Sequence, residues 1–137
     1  MKESVLKQYF DGEIGVLSLK PFLSPVRDVS KLTKGDNFDC DLSDEYQLSL
    51  KDLRKVCDDY LAGSLDEADV VAIAFFLLAA DHFVWDKTTE SGAVVAEVID
   101  DWNSPEIDFP ITRRNMKRIA RGLDEGIYDP QALSTDE

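Results

Sequence analysis

The run Val70 to Ala80, VVAIAFFLLAA, constrains this chain more than any other segment. A helix built from 11 apolar residues has no polar side, so protein must cover it on several faces. Asp69 and Asp81 bound the run, and it is about half the length that a bilayer-spanning helix needs. It therefore reads as the central helix of a core. At 137 residues the chain is expected to form one domain, able to withdraw roughly two-thirds of its unfolded surface from water.

The flanking periodicities are helical too. Val5, Leu6, Tyr9 and Phe10 predict a helix over residues 3–11 with Gly12 as its stop. Pro21 and Pro25 limit residues 14–27 to one short helical piece. Residues 28–47 lack periodicity and read as a long acidic loop, of the kind that is functional or mobile. Ser49 caps an amphipathic helix, with Leu50, Leu53, Val56, Cys57, Tyr60 and Leu61 on one face, ending at Gly63. Ser64 and Glu67 have the spacing of a capping box that would start the central helix, about 65–84. Ser91 is expected to cap a further helix with the face Val94, Val95, Val98, Ile99 and Trp102. Thr112 caps a last one, stapled by Ile111 and Met116 and stopped at Gly122, and residues 124–137 read as a loosely attached tail. The expected fold class is all-α, a compact bundle of about five helices.

An echo links Tyr9-Phe10-Asp11-Gly12-Glu13-Ile14 to Tyr60-Leu61-Ala62-Gly63-Ser64-Leu65. Its physical reading is a shared helix stop, glycine in the left-handed conformation followed by an apolar residue folding back.

Charge is the second constraint. Residues 36–108 carry 19 acidic and four basic side chains, a local −15 within a total of −13. The sequence pI near 4.4 argues against direct nucleic-acid binding, because phosphates would meet a repulsive field. A cationic partner would relieve the self-repulsion. The N-terminus shows no apolar signal region, and Cys40 and Cys57 lack zinc or redox spacing, so a cytoplasmic protein with free thiols is expected.

No catalytic, metal or cofactor motif is found. Asp86 to Glu97 has the length of a calcium loop, but Ser91 stands where the sharp turn needs glycine. His82 is the only histidine and has no nucleophile in a recognisable context, so it reads as structural, and the protein as a non-enzyme. Trp85 and Trp102 read as core or rim aromatics. Arg113, Arg114, Lys117, Arg118 and Arg121 make a compact basic helix that would pair with the protein's own acidic belt or meet an acidic partner.

The candidate partner-binding residues are Asp36, Asp39, Asp41, Asp44 and Glu45 in the loop, with Asp58, Asp59, Asp66 and Glu67 as a second belt. Asp100, Asp101, Glu106 and Asp108 form a reserve set. Asp58 and Asp59 sit on a last helical turn, where the dipole disfavours negative charge, a hint that something other than stability chose them.

A short, acidic, helical chain with these features resembles the immunity proteins of bacterial toxin–immunity pairs, of the colicin and contact-dependent growth-inhibition type. The likeness is greatest over residues 49–122, including Tyr60-Leu61-Ala62-Gly63-Ser64-Leu65 and the Pro105-Glu106-Ile107 to Pro110-Ile111-Thr112 linker. It implies inhibitory binding of a cognate toxin, commonly a basic nuclease, by a protein that is monomeric when free. The rival expectation is a helical adaptor or regulatory module that binds an ordinary cellular protein.

Overall fold

In a computed structural model of the protein, the described residues are 2–23, 41–107 and 109–135. Six α-helices account for most of them: α1 Glu3–Asp11, α2 Val16–Leu23, α3 Leu50–Leu61, α4 Glu67–Ala79, α5 Glu90–Asn103 and α6 Arg113–Glu125. Among the described residues the paired strands are β1 Tyr46–Gln47 and β2 Phe83–Val84, parallel, in the register Tyr46 to Phe83 and Gln47 to Val84. The protein is thus mostly α-helical, as its periodicities require.

The apolar run forms α4, and Val70, Ala72, Ile73, Ala74, Phe76 and Leu77 are buried. One flank packs on α5 through Val94, Val95, Val98 and Ile99, and α2 contributes Leu19 and Leu23. α6 lies along α3, its Met116, Ile119, Ala120 and Leu123 facing inward. Pro21 stands inside α2, where it withdraws the amide that would serve the Leu17 carbonyl; Leu17 is exposed, so water can meet that group.

The shared helix stop is present in both places. Gly12 has φ 81° and Gly63 φ 85°, and the following amides donate back five residues, Glu13 to the Gln8 carbonyl and Ser64 to that of Asp59. Gly126, with φ 74°, closes α6 in the same way through Ile127 and the Gly122 carbonyl.

Several helix limits differ from the sequence reading. α4 starts two residues later than expected, on Asp66 with Asp69 as its reciprocal partner, and not on Ser64 with Glu67. It stops at Ala79, because residues 83–84 turn into β2 and Phe83 enters an aromatic cluster with Phe10, Tyr46 and Phe76. Thr89, not Ser91, caps α5, and Gly92 lies in its first turn, where a Cβ would stand 1.7 Å from the Asp86 carbonyl oxygen. Gly122 does not end α6, which runs on to Glu125.

Residues 127–135 lie against α6 instead of trailing from it. Asn115, which is buried, donates to the Ser134 carbonyl (2.8 Å) and accepts from the Ser134 amide (2.8 Å), while Arg118 donates to the Ala132 carbonyl. A 3₁₀ turn at Pro130–Ala132 and partly buried Tyr128 and Leu133 complete this strap.

Candidate functional site

Asp36, Asp39 and Asp108 lie outside the described residues. The other acidic candidates fall into two groups, those held by the fold and those left to solvent. Asp41 is in the first group. Its carboxylate accepts from the backbone amide (2.9 Å) and hydroxyl (2.6 Å) of Ser4, and so caps the first turn of α1 from 37 residues away. Desolvation pushes its pKa up, but the Ser4 bonds and nearby Lys2 outweigh it and hold the carboxyl below its ordinary value. Asp58 accepts from Arg54 Nε at 2.9 Å, and Asp59 accepts the hydroxyl of the fully buried Tyr9. Both carboxylates on the last turn of α3 therefore have structural partners, which removes the hint that partner binding placed them there.

Arg54 extends this self-neutralisation, reaching Asp124 Oδ2 at 2.6 Å and the Ala120 carbonyl at 2.7 Å on α6. Beside it, a groove bordered by Asp11, Asp52 and Asp58 also contains Lys51, Arg54 and Lys55. Its charge is mixed. Within it, burial raises the pKa of Asp52 against the bonds that Asp52 accepts from Ser49 and Tyr46.

The start of α4 is different. Asp66 Oδ1 accepts from the Asp69 amide (2.9 Å), and Asp69 Oδ2 accepts from the Asp66 amide (3.1 Å). Asp69 is buried and lies 3.3 Å from Lys20 Nζ. With the cap closed by these two residues, Glu67 has no role in it and is exposed. Across an open groove, Pro105 and Glu106 follow the end of α5, and the floor is Ala68 and Val71. Asp66, Glu67 and Glu106 thus edge a groove with a partly apolar floor, and no lysine or arginine is among the described residues of its lining. The structure brings two residues of the expected belt together with one from the reserve set. Asp44 and Glu45, just before β1, are exposed and make no hydrogen bond or ion pair among the described residues.

Other polar residues that organise the fold escaped the sequence reading. Glu3 is fully buried, accepting from the His82 amide (2.8 Å) with its other oxygen 2.7 Å from His82 Nδ1. The pair ties α1 to the entry of β2, which gives His82 the structural role expected of it. Glu3 shares a helix face with Leu6 and Phe10 at i, i+3 and i+7, a pattern that marks a buried acid. Asp52 stands three residues after Ser49 and carries the capping-box spacing. Cys57 is buried, and loss of hydration pushes its thiol up to about 12, which leaves it protonated and inert at neutral pH.

No family model, curated protein or solved structure matches the chain. No helix among the described residues is long and apolar enough to cross a membrane.

Proposed function

We propose that this is a binding protein that takes a cationic protein partner in the groove between the start of α4 and the end of α5, and that it acts as an immunity protein neutralising a basic, nuclease-type toxin. The observation that carries this reading is the groove itself: exposed Glu67 and Glu106 edge it beside the capping Asp66, with no basic residue among the described residues of the lining, on a chain of net charge −13. Asp41, Asp58 and Asp59, by contrast, are held by donors of the fold itself. Exposed carboxylates steer a basic partner and can stand where a nuclease holds substrate phosphates. Exposed charge pairs alone contribute little affinity, so the Ala68, Val71 and Pro105 floor would supply the apolar contact.

The test uses Glu67→Lys with Glu106→Lys, which leaves the Asp66–Asp69 cap intact. A toxin domain encoded beside this protein should be neutralised in cells by the parent, with association that slows as salt rises above about 0.1 M. The double variant should fold normally, associate more slowly and protect poorly. Equal protection by the double variant would remove the groove from the mechanism, and the absence of any toxic neighbour neutralised by the parent would remove the immunity reading.

A further inference from the structure

The outer face of α6 carries the opposite charge. Arg114, Lys117, Arg118 and Arg121 follow one another at i, i+3, i+4 and i+7, so they form one stripe, and all four are exposed. They line a depression with no other described residue in it. Among the described residues, the basic helix does not spend these charges on the protein's own acids. Arg113 donates to the Leu61 carbonyl (2.8 Å) and Arg118 to that of Ala132, both backbone groups. Arg114, Lys117 and Arg121 make no hydrogen bond or ion pair among the described residues. It is Arg54 of α3, not α6, that takes up Asp124.

At the C-terminal end of the stripe the strap and α6 enclose a cavity of about 240 Å³. Arg118 and Arg121 line it together with Glu125 and Asp129, and Ile119, Ile127, Tyr128 and Leu133 supply apolar wall. Ile127 is 53% exposed, and the Tyr128 hydroxyl is buried without a hydrogen-bond partner among the described residues.

We propose that this stripe and cavity form a second docking surface, for a short acidic segment of a partner protein that carries an apolar side chain. The carboxylates lie along Arg114, Lys117 and Arg121, and the apolar side chain enters the cavity beside Ile127. A nucleic-acid strand suits the surface less well. From residue 114 to 121 α6 rises only about 10 Å. Beyond that, Glu125 and Asp129 line the cavity, so the surface takes only a segment whose carboxylates stop at the stripe, whereas a nucleic-acid strand continues its charge at every nucleotide. A phosphate backbone also has no apolar group for the cavity. The partner is opposite in charge to the one proposed for the α4–α5 groove, so neither reading depends on the other.

The test measures fluorescence anisotropy of labelled, amidated peptides of four Asp and Glu residues, one ended by leucine and one with glycine in its place, and of a labelled four-nucleotide oligothymidine. The leucine peptide should bind the parent, and more weakly at high salt. Arg114→Glu, Lys117→Glu and Arg121→Glu together should weaken it about tenfold, the product of three exposed charge pairs worth two- to threefold each. This triple variant leaves Arg118 on the strap, and circular dichroism should confirm an intact fold. Ile127→Asp, or glycine in the peptide, should also weaken binding. The proposal is overturned if the leucine peptide does not bind, if the triple variant or Ile127→Asp binds it as the parent does, or if glycine in the peptide changes nothing. It is equally overturned if the oligonucleotide binds as tightly, or if the parent is a dimer that the triple variant dissolves, which would make a second copy the occupant.

Discussion

Replacing Gly122 by alanine tests the strap with a change of sign. In an exposed stretch of helix, alanine is more favourable than glycine by about 1 kcal/mol, because glycine loses more backbone entropy on ordering. Here a Cβ on Gly122 would lie 2.6 Å from the Ile127 carbonyl oxygen, closer than real contacts allow. The oxygen belongs to backbone and cannot rotate away. It is also tethered, since the Ile127 amide donates to the Gly122 carbonyl at 2.9 Å. Making room means displacing the strap, which breaks that bond, worth about 1 kcal/mol net. It also strains the Asn115–Ser134 pair, and stranding the buried Asn115 Oδ1, while Nδ2 keeps the Pro110 carbonyl, would cost a further 1–3 kcal/mol or so. Set against the propensity gain, Gly122→Ala should destabilise the protein by about 1–3 kcal/mol, lowering Tm by on the order of 5 °C. Urea unfolding of parent and variant gives the number, and protease cleavage within 127–135 should quicken in the variant. In a chain truncated after Gly126 the obstructing carbonyl is gone, so there the same substitution should stabilise by about 1 kcal/mol. If full-length Gly122→Ala is as stable as the parent, or if the sign is the same in both chains, the strap does not close over α6 as described.

Phe76→Ala, at a fully buried site on α4, should cost about 3–5 kcal/mol in chemical denaturation; a variant that unfolds like the parent would show that α4 is not the centre of the core. Asp41→Ala should cost about 1 kcal/mol near neutral pH, the scale of a lost helix cap. Because the folded-state pKa of Asp41 is lowered, its contribution is present above the ordinary carboxylate range and lost as pH falls through the lowered value, so the difference between variant and parent should shrink in acid. Asp52 has the opposite sign: its folded-state pKa is raised, so its ionisation disfavours the folded state above that value. Asp52→Asn should accordingly compare better with the parent at pH 7 than at pH 3, whatever the offset from its altered bonds to Ser49 and Tyr46, and an offset independent of pH would refute the assignment.

Much of the architecture was legible along the chain, because helix formation and helix ending are settled within one or two turns. The apolar run had to be largely buried whatever surrounded it, and Phe76 and Leu77 are buried in its middle, although Val71 and Phe75 are covered only in part and Leu78 is exposed. Gly12 and Gly63 stop their helices as their spacing to the following Ile14 and Leu65 implied, and Thr112 caps α6. Where two local signals competed, local reasoning could not choose. From sequence, α4 is expected to start on Ser64 and α5 on Ser91, whereas Asp66 and Thr89, each a cap-forming residue two positions away, hold the caps.

The use made of each carboxylate belongs to another scale. Composition alone established that this chain carries an unbalanced −13, since charge is a sum over residues and needs no geometry. Which acids remain available to a partner depends on donors brought close by folding: Ser4 to Asp41 across 37 residues, Tyr9 to Asp59 across 50, His82 to Glu3 across 79. The tertiary structure alone gathers Asp66, Glu67 and Glu106 at one groove and leaves the α6 stripe without acidic partners among the described residues. A hydrogen bond requires a donor within about 3 Å, and distance along the chain says nothing of that separation until the core has packed.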